Sequence, residues 1–149
     1  LALTQNHEIR KENWKEIRRS VEEIVLQFEL IHNHLIERAN TNFSVKYSIS
    51  AINKALGKDA PNVNHQISDV LDETKQVFLK LISLEGRLLL LGGEDGEKVL
   101  RQYRFKATEI EEISVTDKNA QEKLRPIIDE LHQIRGAFYK SASSMYMNP

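Results

Sequence analysis

The chain has 149 residues with 40% hydrophobic content, no cysteine, and 21 basic against 22 acidic side chains for a formal net charge of −1. A single domain of this size buries about two thirds of its unfolded surface without a staple, and the missing cysteines exclude disulfides and thiolate-held metals. Charges of both signs are interleaved, as between positions 10 and 23, so the sequence lacks the one-signed run expected of a nucleic-acid or anionic-membrane binder.

Along the first segment Trp14, Ile17, Val21, Ile24, Phe28, Ile31 and Leu35 recur at alternating spacings of three and four, the a/d seam of a helix packed against other helices. Thr4 with Glu8 offers a start near the N-terminus, one residue out of capping-box spacing. With Trp14 at a, Leu26 and Leu30 fall at f and c, and Val25 and Ile36 widen the stripe at e and b. A helix apolar on a second side needs a second neighbour, so Leu26 and Leu30 are expected to form a partner interface, with a homodimer as the expected assembly.

The heptad then meets Arg38 and Asn42 in the seam, within the polar run Asn40, Thr41, Asn42, and resumes at Val45, Ile49, Ile52 and Leu56 without a skipped residue. No glycine or proline intervenes before Gly57, so the second stretch is expected to continue or bend from the first helix, with a short extra helix as the alternative. Gly57, Asp59 and Pro61 mark a stop. The next helix is expected from Asn62 or Asn64 along Ile67, Val70, Thr74, Val77, Leu81, Leu84, Leu88 and Leu91, ending at Gly92 and Gly93. A shorter one follows Asp95 or Gly96, with Val99, Leu100, Tyr103, Ala107, Ile110 and Ile113. Thr116, Asp117 and Asn119 are cap candidates for the last, whose seam is Ala120, Leu124, Ile127, Leu131, Ile134, Phe138, Ser141 and Met145. Pro126 lies in its first turns, where a kink costs least, or marks its true start. Short connections make neighbours antiparallel, so the expected fold is an all-α, up-down-up-down four-helix bundle in one domain, 1–149.

Few residues suggest chemistry. His7, Glu8, Ile9 and Arg10 match the start of the phosphoacceptor box of sensor histidine kinases, but Lys11, Glu12 and Asn13 break the pattern and no nucleotide-binding glycine box is present. Glu29 with His32 has the E-x-x-H spacing of carboxylate-bridged di-iron bundles, and Asp129 with His132 is a loose second copy. Heptad positions put Asp129 at f and His132 at b, both outward, with only His32, at e, bordering the core; no metal or other cofactor is expected. Arg38 and Asn42 are the candidate ligand-binding residues, an arginine and an amide able to grip a small anion between helices, whereas Thr74 reads as a register device. Arg87 and Arg104, on either side of the Gly92 turn, are weaker candidates. With no G-x-S-x-G, P-loop or paired-carboxylate signature, the chain is not expected to be an enzyme.

The run Leu84, Glu85, Gly86, Arg87, Leu88, Leu89, Leu90, Leu91, Gly92, followed by Leu100 and Tyr103, resembles the helix-turn-helix of extracytoplasmic four-helix sensor domains of the CHASE3-like and chemoreceptor type. That family often reads Arg-Gly-Tyr-Leu-Leu-x-Gly and then Leu and Tyr; here Leu88 and Leu89 replace the Gly-Tyr, and the gap after the glycine is longer. The resemblance implies a periplasmic signal-input domain of a membrane receptor, relaying ligand or partner binding by small helix displacements. A soluble adaptor bundle in the cytoplasm, phosphotransfer-like, is the alternative. The longest apolar run, 88–91, is four residues, far short of the roughly 20 of a membrane span. The chain starts at Leu1 rather than Met and ends in Met145, Tyr146, Met147, Asn148, Pro149, so it is expected to be cut from a longer one, tied to a membrane only through segments outside it.

Overall fold

The computed structural model describes residues 2–56, 61–113 and 119–148, and among them the side chains at 8, 10–37, 39, 75–110, 112–113, 119 and 121–148. Four helices follow one another: α1 (Ala2–Leu56), α2 (Pro61–Leu90), α3 (Glu94–Glu112) and α4 (Ala120–Met147), with no strand among the described residues. Positions 43–56 belong to α1 and are not a separate helix. Nothing from Ala2 to Leu56 lacks a backbone donor or adds glycine freedom, so the polar run at 40–42 leaves the hydrogen-bond ladder unbroken.

Helices α1 to α4 close a ring in which each packs on the next and α4 returns to α1. As position rises along α1 it falls along α4: Arg18 donates to the Tyr146 carbonyl, Glu29 meets Arg135, and His32 meets His132. The pairs Glu85–Arg104 and Lys106–Glu130 show α2 against α3 and α3 against α4. This is the up-down-up-down bundle the seams imply.

The core runs through Val21, Ile24, Phe28, Ile31, Leu35 and Ala39 of α1, facing Leu81, Leu84 and Leu88 of α2, Leu100, Tyr103 and Ala107 of α3, and Leu131, Phe138 and Ala142 of α4. Phe28 is its hub, edge-on to Tyr103 at 5.0 Å and to Phe138 at 4.7 Å between ring centroids. Each such ring or leucine contributes about 1.5–3 kcal/mol by leaving water.

Two seam expectations are corrected. Trp14 is 47% exposed, not packed: Arg18 already bonds the carbonyl of Tyr146, in the last turn of α4, so one turn earlier on α1 there is no facing helix. Near the end of α4 the buried residue is Ala142, with Ser141 half-buried beside Gly96, where a Cβ would stand 3.3 Å from the serine Oγ. Helix starts also shift: α2 begins at Pro61, whose missing N–H costs nothing in a first turn, and α3 begins at Glu94, with Glu94, Asp95 and Glu97 complementing its dipole. Asn119 occupies the N-cap position of α4, though its side chain does not make the capping hydrogen bond, and Pro126 lies inside that helix; Thr116 and Asp117 fall outside the described residues.

The turn from α2 to α3 is built on glycine. Gly92 has φ +79°, the left-handed region, and its N–H bonds the Leu89 carbonyl while that of Gly93 bonds Leu88. These two bonds make a Schellman stop, which satisfies carbonyls the helix end would leave orphaned. An α-helix of 55 residues is about 80 Å long, roughly twice the length of α4, so α1 extends past the four-helix section.

Candidate functional site

In the middle of the bundle a polar cluster interrupts the apolar core, drawing side chains from α1, α3 and α4. His32, at 1% exposure, is the buried centre. Its Nδ1 lies 2.6 Å from the Tyr103 hydroxyl and its Nε2 lies 3.1 Å from His132 Nδ1. Tyr103 is fully buried, and a buried phenol without an acceptor would cost about 1–3 kcal/mol. The tautomers follow from that constraint. Tyr103 Oη–H donates to His32 Nδ1, which leaves the proton of neutral His32 on Nε2, donating to His132 Nδ1 and placing the proton of neutral His132 on its outer nitrogen. The reverse polarity would strand the phenol proton.

Burial holds His32 neutral, lowering its pKa from 6.5 to about 4, with His132 and Arg135 adding to the depression and Glu29 opposing it. Burial likewise pushes the Tyr103 phenol up. The two buried members are therefore uncharged, and the chain of hydrogen bonds runs from a sealed phenol to the exposed edge of His132.

Beside it Glu29 receives Arg135 in a two-point pair, Nε at 3.2 Å from Oε2 and Nη2 on Oε1. Arg135 also lies over the Tyr139 ring at 5.0 Å and reaches its hydroxyl at 3.2 Å. Along the same side of the bundle α1 and α4 leave an open groove of about 660 Å³, lined by Val21, Val25, Leu26, Tyr139, Ala142 and Tyr146 with the Glu29–Arg135 pair.

The heptad reading that sends His132 outward is therefore half right: the residue is exposed, yet its Nδ1 meets a buried histidine. In a ring of four helices each helix has two neighbours, so positions b and e face one and c and g the other. Glu29 and His32, at b and e of α1, thus meet Arg135 and His132, at e and b of α4. Glu23 and Gln27, at c and g, meet Arg87 of α2 at 3.0 and 3.3 Å. The di-iron arrangement does not assemble, because Arg135 occupies Glu29 and Asp129 is exposed; among the described residues no three metal-ligating groups converge.

Arg104 and Arg87 are both engaged within the bundle. Arg104 holds the buried carboxylate of Glu85 at 2.8 and 3.1 Å, tying α3 to α2. Arg38 and Asn42 lie on α1, but their side chains, like those of His7 and Thr74, are outside the described residues. Leu26 and Leu30 are each 63% exposed, on the outside of α1. Sequence reading missed Tyr103, Arg135 and Tyr139 as site residues. The legible signal was a tyrosine in a seam position, since a buried hydroxyl demands an acceptor.

Among the described residues no helix is long and apolar enough to cross a membrane. Compared with family models, characterised proteins and solved structures, the chain matches none.

Proposed function

We propose that this bundle is a non-enzymatic signal-input domain of a membrane receptor, in which α1 and α4 form the pair that moves. The observation that carries the reading is the α1–α4 joint. Two polar bridges, His32–His132 and Glu29–Arg135, span it beside an open groove, and α4 ends against the side of α1 where Arg18 holds its last turn. Polar bridges favour discrete registers over continuous sliding, because a half-shifted pair leaves charges and donors unmatched. A shift of one helix against the other would thus be delivered as a step where α4 ends on α1.

In this reading the input is a small anion or carboxylate at Arg38 and Asn42, on the same helix as both bridges. The test is a melting screen of small carboxylates and inorganic anions against wild type and the Arg38→Leu, Asn42→Ile double variant. A ligand present at a hundred times its dissociation constant stabilises by about 2.7 kcal/mol. A rise in melting temperature seen only in wild type supports the reading, and no difference between the proteins removes this input site. Apolar spans of roughly 20 residues on both sides of the domain in the full-length gene are expected; finding none overturns the receptor assignment.

The second reading is an adaptor bundle that binds a second copy or a partner helix. The exposure of Leu26 and Leu30 on one helix favours it.

A further inference from the structure

The part of α1 that precedes the four-helix section carries a surface the bundle does not use. Successive rows along the helix divide its chemistry. Arg10, Trp14 and Arg18 form one row and Lys11, Lys15 and Arg19 the next, while Glu8, Glu12 and Glu16 form a third. Trp14, 47% exposed, stands in a shallow hollow of about 390 Å³ walled by Arg10, Lys11, Lys15 and Arg18. Of these cations only Lys15 has a carboxylate partner among the described residues, Glu12 at 3.3 Å. Arg18 is spent differently, on the Tyr146 carbonyl at 2.8 Å and over the Tyr146 ring at 5.4 Å, which joins the end of α4 to the patch. Exposed Met147 and part-exposed Tyr146 add apolar and aromatic surface there.

From this arrangement we infer that the cationic, tryptophan-bearing strip of α1 docks on an anionic membrane surface. Charge complementarity names an anionic partner, and the tryptophan with its methionine and tyrosine neighbours names a lipid one. Indole and phenol rings gain at the headgroup level, where a dissolved inorganic polyanion such as polyphosphate offers them nothing apolar. Position supports it as well. Trp14 lies one turn, about 6 Å, beyond Arg18, whereas the acidic first turn of α3 follows Gly93, which is packed on Met145. An anionic surface approaching along α1 therefore meets the cations before Glu94 and Asp95. The balanced total charge conceals this strip, because its carboxylates occupy a different row of the same helix. The inference stands independently of the signal-relay reading.

Trp14 is the only tryptophan in the chain, so its fluorescence reports the contact directly. Titration with vesicles of equimolar phosphatidylcholine and phosphatidylglycerol should shift its emission to the blue and carry the protein down on sedimentation. Pure phosphatidylcholine should do neither, and raised salt should reverse both. Neutralising Arg10→Gln, Lys11→Gln and Lys15→Gln together should weaken binding roughly a hundredfold, about fivefold per charge. These side chains are exposed, so the far-ultraviolet spectrum and melting temperature should stay unchanged, and the single variants, measured the same way, each keep the test valid if the triple variant misfolds. No shift with the anionic vesicles, an equal shift with neutral ones, or binding to polyphosphate as tight as to vesicles would overturn the membrane assignment.

Discussion

His32 Nε2 and His132 Nδ1 stand 3.1 Å apart across the joint of α1 and α4, and only one of the two nitrogens can carry a proton there. A proton added to His132 Nδ1 opposes the one that His32 already holds. Added to His32 instead, it must take Nδ1 and displace the Tyr103 donor. The arrangement therefore holds only while His32 is neutral.

Acid should therefore weaken the fold through His32. Its folded pKa of about 4 lies below the unfolded 6.5, so between those values the unfolded chain binds the extra proton. The stabilisation is whole above pH 6.5, falls as pH drops, and is lost to the extent of about 3 kcal/mol below pH 4. Glu29, Tyr103, His132 and Arg135 all face this ring and shape the slope. Denaturant unfolding at pH 7 and pH 5 should show the loss in wild type. His32→Leu with Tyr103→Phe, which removes the ring and the phenol it would strand, should flatten it; an equal slope in that variant would assign the effect elsewhere.

Two glycines should answer an alanine scan with opposite signs. Gly92 sits at φ +79°, where a Cβ costs about 1–2 kcal/mol, so Gly92→Ala should lower the melting temperature. Gly86 is exposed within α2 and a Cβ there meets nothing within 4 Å. Gly86→Ala should accordingly stabilise by about 0.5–1 kcal/mol. Equal shifts in both would show that the turn does not depend on the left-handed conformation.

Leu26→Glu with Leu30→Glu tests the exposed leucines of α1. Both side chains are 63% exposed, so helicity should survive the change. If a second copy covers them, sedimentation equilibrium should show a dimer for wild type and a monomer for the double variant. A wild type that stays monomeric at high concentration removes the homodimer.

The order of helices, the uninterrupted α1, the stop at Gly92 and the seam from Val21 to Leu35 all follow from local spacing and backbone chemistry, which act within a turn or two of the chain. Gly92 is legible because a left-handed stop has one favoured residue, and Phe28 because a seam position in an amphipathic helix has one direction to face. The polar site is different in kind. Its members are 71 and 100 residues apart in sequence, and a heptad says which face a residue occupies but not which helix lies against that face. Only closure of the ring, with α4 returning antiparallel to α1, turned Glu29 and His32 toward Arg135 and His132. Only the end of α4, one turn short of Trp14, turned the first residue of an apparent core seam into an exposed aromatic on a cationic strip. Those outcomes depend on where helices stop and which neighbours they meet, and such long-range packing is settled by the whole tertiary structure.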